Sequence, residues 1–206
     1  MNYLSIFILS FIIALSGALA PGPLLTIVIA KSVKHGFKAG PLVILGHTIL
    51  EIILVLILVM GFSKLLNQPL LIKTVSLLGS GILFLFGIRM ANSAKNITLN
   101  IDAQDQRCSR LTVLGITMSI ANPYWAVWWL TVGLGLILSA QKYGLFAVAV
   151  FFLGHILADL TWYSAVSFTV SKGRRFLSDK IYKSIMLLCG IALIVFGLYF
   201  ALSIVY

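Results

Sequence analysis

The sequence predicts an all-α polytopic membrane protein: six transmembrane helices forming two inverted three-helix repeats, with helices one and four broken at Pro-Gly-Pro and Asn-Pro. Three observations lead there. Of the 206 residues, 61% are hydrophobic and 10% charged, whereas a soluble domain carries about 45–50% apolar and about 25% charged residues. Several apolar stretches exceed the roughly 20 residues needed to cross a hydrocarbon core. The two halves of the chain also echo each other in order.

The apolar runs place helices at about 3–30, 39–62, 69–91, 111–139, 143–171 and 181–205. The first begins with "MNYLSIFILSFIIALSGALA", whose Ala18-Leu19-Ala20 mimics a signal-peptidase site. A basic leader region is missing, however, because no Lys or Arg precedes Lys31, and cleavage would leave Pro21 as the first residue. The segment is expected to be retained. Between the runs lie "KSVKHGFK" (31–38), "SKLLNQP" (63–69), a polar midpoint (92–110), "AQKYG" (140–144) and "KGRRFLSDK" (172–180). Residues 1–91 and 111–206 are then the two repeats of one transporter domain, joined by the linker 92–110.

The net charge of +10 is not a nucleic-acid footprint, because its Lys and Arg residues sit between the apolar runs and suit lipid headgroups. Of fifteen such residues, all but Lys64, Lys73 and Lys142 lie at the first, third and fifth connections. Those connections (31–38, 92–110, 172–180) are expected to be cytoplasmic, with both termini outside the cytoplasmic membrane. Cys108 and Cys189 form no CxxC pair and are read as incidental.

The repeat rests on three matches. "GHTILE" (46–51) and "GHILAD" (154–159) share Gly-His-x-x-x-acid at an offset of 108; "APGP" (20–23) answers "ANP" (121–123); "GILFLFGI" (81–88) resembles "GIALIVFGL" (190–198). Three crossings per copy is an odd number, so the second copy enters from the opposite side of the membrane. Inverted repeats with paired interrupted helices point to a midplane site in a secondary transporter.

Pro21 and Pro23 remove backbone donors and interrupt helix one. Gly22 frees the turn, and Pro23 suits the first position of a new half-helix. The amides of Leu24, Leu25 and Thr26 are then expected to face the membrane interior with partial positive charge. In helix four, Asn122 is placed to cap a half-helix starting at Pro123, presenting the amides of Tyr124 and Trp125. The alternative is a pair of plain proline kinks.

Glu51 and Asp159 are the acids inside the predicted spans, each roughly 18–24 Å along its helix at 1.5 Å per residue. An ionised carboxylate there costs about 2.5–3.5 kcal/mol, so each is expected to face a cavity, titrate or bind a cation. His47 and His155 precede them by four residues, on the same helical face. The pairs can relay a proton, bind a cation, or simply fasten helices two and five. "NPYWAVWW" puts Tyr124, Trp125, Trp128 and Trp129 mid-helix, either as packing or as a cation–π wall for an ammonium group.

These residues together resemble the lysine exporter / resistance-to-homoserine-and-threonine (LysE/RhtB) family of amino-acid efflux proteins. "SGALAPGP", "KHGFKAG", "GHTILE", the polar midpoint and the helix-four Asn-Pro carry the resemblance over essentially the whole chain. It departs where many relatives follow Asn-Pro with lysine and this chain has Tyr124. The resemblance implies no enzyme and no cofactor, but export of a small amino acid or similar metabolite driven by an H+ or Na+ gradient. The half-helix amides would hold the substrate carboxylate. Glu51 or Asp159, with His47 and His155, would meet its ammonium group or carry the coupling cation. The expected partners are that substrate, the cation and the lipid bilayer, with a homo-oligomer allowed. A divalent-cation carrier using the two His-x-x-x-acid pairs is the alternative. A membrane thiol-redox protein would need paired intramembrane cysteines, which Cys189 lacks.

Overall fold

The computed structural model describes residues 2–19, 22–61, 69–94, 108–173, 176 and 178–202, and Pro21 therefore lies outside it. The side chains of Pro123 and Tyr124 are likewise outside the description, although their backbone is helical. Among the described residues the fold is all-helical, with no strand.

Helix α1 (Tyr3–Ala18) starts under a cap in which Asn2 Oδ1 accepts from the Ser5 amide at 2.8 Å. Helix α2 (Pro23–His35) begins with proline at its first position. It runs five residues beyond the expected end of the first span, so most of the 31–38 connection is helical. The reversal is compressed into a 3-10 turn at Gly36–Lys38, opened by Gly36 at φ +67°, a conformation that a side chain would resist. Then come α3 (Ala39–Val59), α4 (Pro69–Ala94), α5 (Cys108–Ile120) and α6 (Pro123–Trp128). A π-helical turn (Trp129–Gly133) leads into α7 (Leu134–Gln141), followed by α8 (Leu145–Gly173) and α9 (Asp179–Leu202).

Three described stretches are long and apolar enough to cross a membrane, Pro23–Val59, Leu145–Gly173 and Asp179–Tyr199; Tyr3–Ala18, Leu77–Asn92 and Arg110–Ile120 are shorter apolar helices. The outward faces match that environment. On α3, Leu45, Ile49, Ile52, Ile53 and Leu56 are exposed, while His47 and Glu51 are buried. A helix apolar outside and polar inside inverts the soluble pattern and belongs in lipid.

The core has two clusters. One gathers Ile27, Val28, Val33, Val43, Ile44, Met118 and Leu193; the other gathers Ile6, Val55, Leu58, Trp129, Ile137 and Phe151. Helix α3 enters the first cluster at Val43 and Ile44 and leaves through the second at Val55 and Leu58. Helix α8 meets them in the reverse order, Val148 and Phe151 in the second, then Leu160 and Tyr163 against the first. The two helices are therefore antiparallel, and His47, Glu51, His155 and Asp159 all fall at the seam.

Glycines set how closely the helices approach. Cβ atoms on Gly46 and Gly115 would strike the backbone carbonyls of Thr112 and Val43 respectively, so α3 and α5 cross backbone to backbone. On the other side, a Cβ on Gly154 would lie 2.7 Å from the Phe7 carbonyl oxygen. There the Ser10 hydroxyl also donates to the Phe151 carbonyl at 2.6 Å, tying α1 to α8. Small residues at such crossings are the usual way to bring membrane helices together.

Candidate functional site

The two His-x-x-x-acid pairs meet. Glu51 is 1% exposed and Asp159 5% exposed, and one ligand atom from each of His47, Glu51, His155 and Asp159 lies within 4.8 Å of the others. Within α3, His47 Nε2 is 2.9 Å from Glu51 Oε1; within α8, His155 Nε2 is 3.4 Å from Asp159 Oδ2. The pairs also cross: His47 Nε2 is 3.5 Å from Asp159 Oδ2, and His155 Nε2 is 3.3 Å from Glu51 Oε2. Helical spacing alone aligns each histidine with its own acid. The antiparallel seam adds the cross pairing.

Donors on α6 and the π-turn, and an acceptor on α5, fix the arrangement. The Trp125 and Trp129 indole N–H groups both donate to Glu51 Oε1, at 3.0 and 2.7 Å. The wide π-turn starts at Trp129, and such turns frequently sit at functional sites. Gly133 leaves the room that the fully buried Trp129 ring needs, since a Cβ there would lie 2.5 Å from its Cε3. Trp128 and Trp129 hold the His155 ring between them, with centroids 5.0 and 4.8 Å away. The tryptophan run is thus packing and hydrogen-bonding at once.

The hydrogen bonds also locate a proton. The Ser119 hydroxyl donates to the Gly115 carbonyl at 2.7 Å, so it accepts from His47 Nδ1 at 2.6 Å. Glu51 Oε1, facing two indole donors, is an acceptor. The 2.9 Å contact then sets His47 Nε2 beside Glu51 Oε1, with Asp159 Oδ2 3.5 Å away on the other helix. Glu51 Oε2 and Asp159 Oδ2 have no hydrogen-bond partner among the described residues although both are buried.

A cavity of about 530 Å³ opens onto the quartet, within the roughly 300–1,000 Å³ of small-molecule sites. Of the residues singled out in the sequence, Gly22, Pro23, Leu24, Asn122 and the tryptophans Trp125, Trp128 and Trp129 line it together with the quartet. Thr26 does not: its amide and its hydroxyl both donate to the Gly22 carbonyl, at 3.1 and 3.0 Å. The expectation of bare amides is corrected at two positions, Thr26 and Trp125, the latter donating to the Asn122 carbonyl at 3.0 Å. In both cases the first hydrogen bond of the new half-helix uses the group. The helix start at Pro23 leaves the amides of Leu24 and Leu25 without an intrahelical acceptor.

Sequence reasoning missed Ser119, Tyr163 and the α9 residues Val195, Phe196 and Tyr199, which also line the cavity. Ser119 lies one turn before the α5 break, where a polar residue in an apolar helix was a usable signal. Nothing in the spacing marks the α9 residues.

Comparison with known proteins gives a matching picture. The chain is 26% identical over 202 residues to a Bacillus subtilis (strain 168) protein named "Putative amino acid efflux protein YcgF", covering 96% of this chain and 95% of that one. No solved structure matches it. The family model described as "LysE type translocator" matches residues 15–204, and the chain belongs to that family of membrane translocators.

Proposed function

We propose that this chain exports an amino acid or similar small metabolite across the cytoplasmic membrane, driven by a proton or sodium gradient. Family membership and the name of the Bacillus subtilis relative support the transport class. The observation that carries the reading is the buried His47–Glu51–His155–Asp159 quartet facing a cavity that an interrupted helix also lines. In this reading the amides of Leu24 and Leu25 hold the substrate carboxylate, helped by the Asn122 side chain. Glu51 and Asp159 receive either its ammonium group or the coupling cation, and His47 and His155 pass the charge between them.

The architecture of the reading is two inverted repeats, 1–91 and 111–206. The opposed order in which α3 and α8 cross the two core clusters supports it. So do the crossings of α3 with α5 and α8 with α1, each at a glycine that directly precedes a quartet histidine. The lysine- and arginine-rich connections 31–38, 92–110 and 172–180 then face the cytoplasm, and rocking α3 with α5 against α8 with α1, two bundles that each draw on both repeats, exposes the quartet to each side in turn.

The test is counterflow in liposomes containing purified protein, using labelled basic, small neutral and branched amino acids, with pH and Na+ gradients imposed separately. Uptake of at least one class above empty liposomes, accelerated by one gradient, is expected. Folded protein that moves none of them would overturn the reading.

A further inference from the structure

We propose that, in the absence of substrate, the quartet binds one divalent transition-metal ion of the zinc type, in competition with the ammonium group or coupling cation of the export reading. A tetrahedral ion with bonds of about 2.0–2.1 Å to nitrogen and oxygen sets its ligand atoms about 3.3–3.4 Å apart. Measured to one oxygen per carboxylate, Glu51 Oε1 and Asp159 Oδ2, the histidine–carboxylate separations here are 2.9 and 3.3 Å to the first and 3.5 and 3.4 Å to the second. Four of the six edges of such a tetrahedron are therefore already near their lengths and all six lie within 4.8 Å, with two ligands from α3 and two from α8.

The surroundings fit a metal as well as the distances do. A ligating histidine usually gives its other ring N–H to an oxygen, which fixes the tautomer and leaves the second nitrogen for the ion. His47 does so through Nδ1 and Ser119 Oγ at 2.6 Å. The Glu51 carboxylate is oriented by two indole N–H groups in the way an outer shell orients a ligand. Glu51 Oε2 and Asp159 Oδ2 are buried and make no hydrogen bond among the described residues, only approaches of 3.3–3.5 Å to histidine Nε2 atoms, so both carboxylates have acceptor capacity left for a cation. Two carboxylates and two neutral imidazoles balance a divalent charge, so the ion enters an apolar interior as a neutral unit. Calcium and magnesium are poorly served, since they favour six or more oxygen ligands.

The experiment titrates purified full-length protein in detergent with Zn2+ against a chromophoric chelator, and records zinc-edge X-ray absorption on the complex. One ion per chain is expected, with a first shell of two imidazole nitrogens and two oxygens at about 2.0–2.2 Å, unaffected by millimolar Mg2+. His47→Ala and His155→Ala should each weaken binding by at least a hundredfold, and Ser119→Ala by roughly 10–100-fold. His35→Ala, outside the quartet, should leave it unchanged. Absence of saturable binding, a first shell without imidazole, or equal affinity in the His47 and His155 variants overturns the proposal. The absorption measurement needs no variant, so a substitution that prevents folding does not remove the test. A negative result leaves the export reading standing, and failure of amino-acid counterflow leaves the metal site standing.

Discussion

His47 on α3 and Asp159 on α8 are 112 positions apart in the chain, yet Nε2 of one lies 3.5 Å from Oδ2 of the other. Helix geometry pairs each histidine with the acid four residues on. The cross contact exists because two antiparallel helices set matching motifs at the same depth. Charges placed this way inside a bilayer are costly alone, and each is tolerable through the others. Their energies should not add. The double variant His47→Ala/Asp159→Asn is expected to lose less stability than the sum of the two single variants, with a coupling of about 0.5–3 kcal/mol. Chemical denaturation in detergent measures it, and strict additivity would dissolve the quartet into two independent pairs.

Glu51→Gln keeps the shape of the side chain and removes its charge. His47 then loses the carboxylate 2.9 Å from its Nε2 in a buried place, and breaking a buried pair in this way costs about 3–5 kcal/mol. The variant should still reach the membrane, melt at a lower temperature, and show no gradient-driven flux. Full flux in this variant and in Asp159→Asn would remove both acids from the transport reading.

Trp129→Phe tests the indole donor separately from the ring. A hydrogen bond to a charged group contributes about 1.5–3 kcal/mol, and the 2.7 Å bond from Trp129 is fully buried. Trp125→Phe removes the longer, 3.0 Å bond at a half-buried ring and should cost less. Thermal unfolding of the two variants gives the order; the opposite order would mean that Glu51 relies mainly on Trp125.

Gly115→Ala places a methyl group on the Val43 carbonyl, and Gly154→Ala places one 2.7 Å from the Phe7 carbonyl. Each is expected to destabilise by about 1–3 kcal/mol through overpacking. Gly81→Ala meets nothing within 4 Å and should be neutral or stabilising by up to about 1 kcal/mol, as alanine favours helix. Melting temperatures of the three variants in detergent check this.

Much of the site could be read in the sequence because its signals are strong in an apolar background. An acid in a membrane span stands out, and so does a histidine four residues before it. The Pro-Gly-Pro and Asn-Pro interruptions were equally visible, and the chain does leave one helix at Ala18 and start another at Pro23. The reach of the bare amides was not visible: a half-helix closes its first hydrogen bond as soon as its fourth residue can find the cap carbonyl, which removed Thr26. Nor was the job of Trp125 and Trp129. Aromatic residues in a span usually pack, and only the depth of Glu51 on a neighbouring helix turns two of them into donors. The meeting of the two His–acid pairs entered the sequence reading only through the divalent-cation alternative, since it depends on how α3 and α8 lie beside each other and not on either motif.

The glycine before each of the two histidines has one more consequence. With no side chain between them, α3 rests on the peptide groups of α5, and α8 on those of α1. Sliding either pair by one residue would push a side chain into a row of carbonyls, so each pair has to travel as a single blade. The two blades meet at four polar groups, two from each.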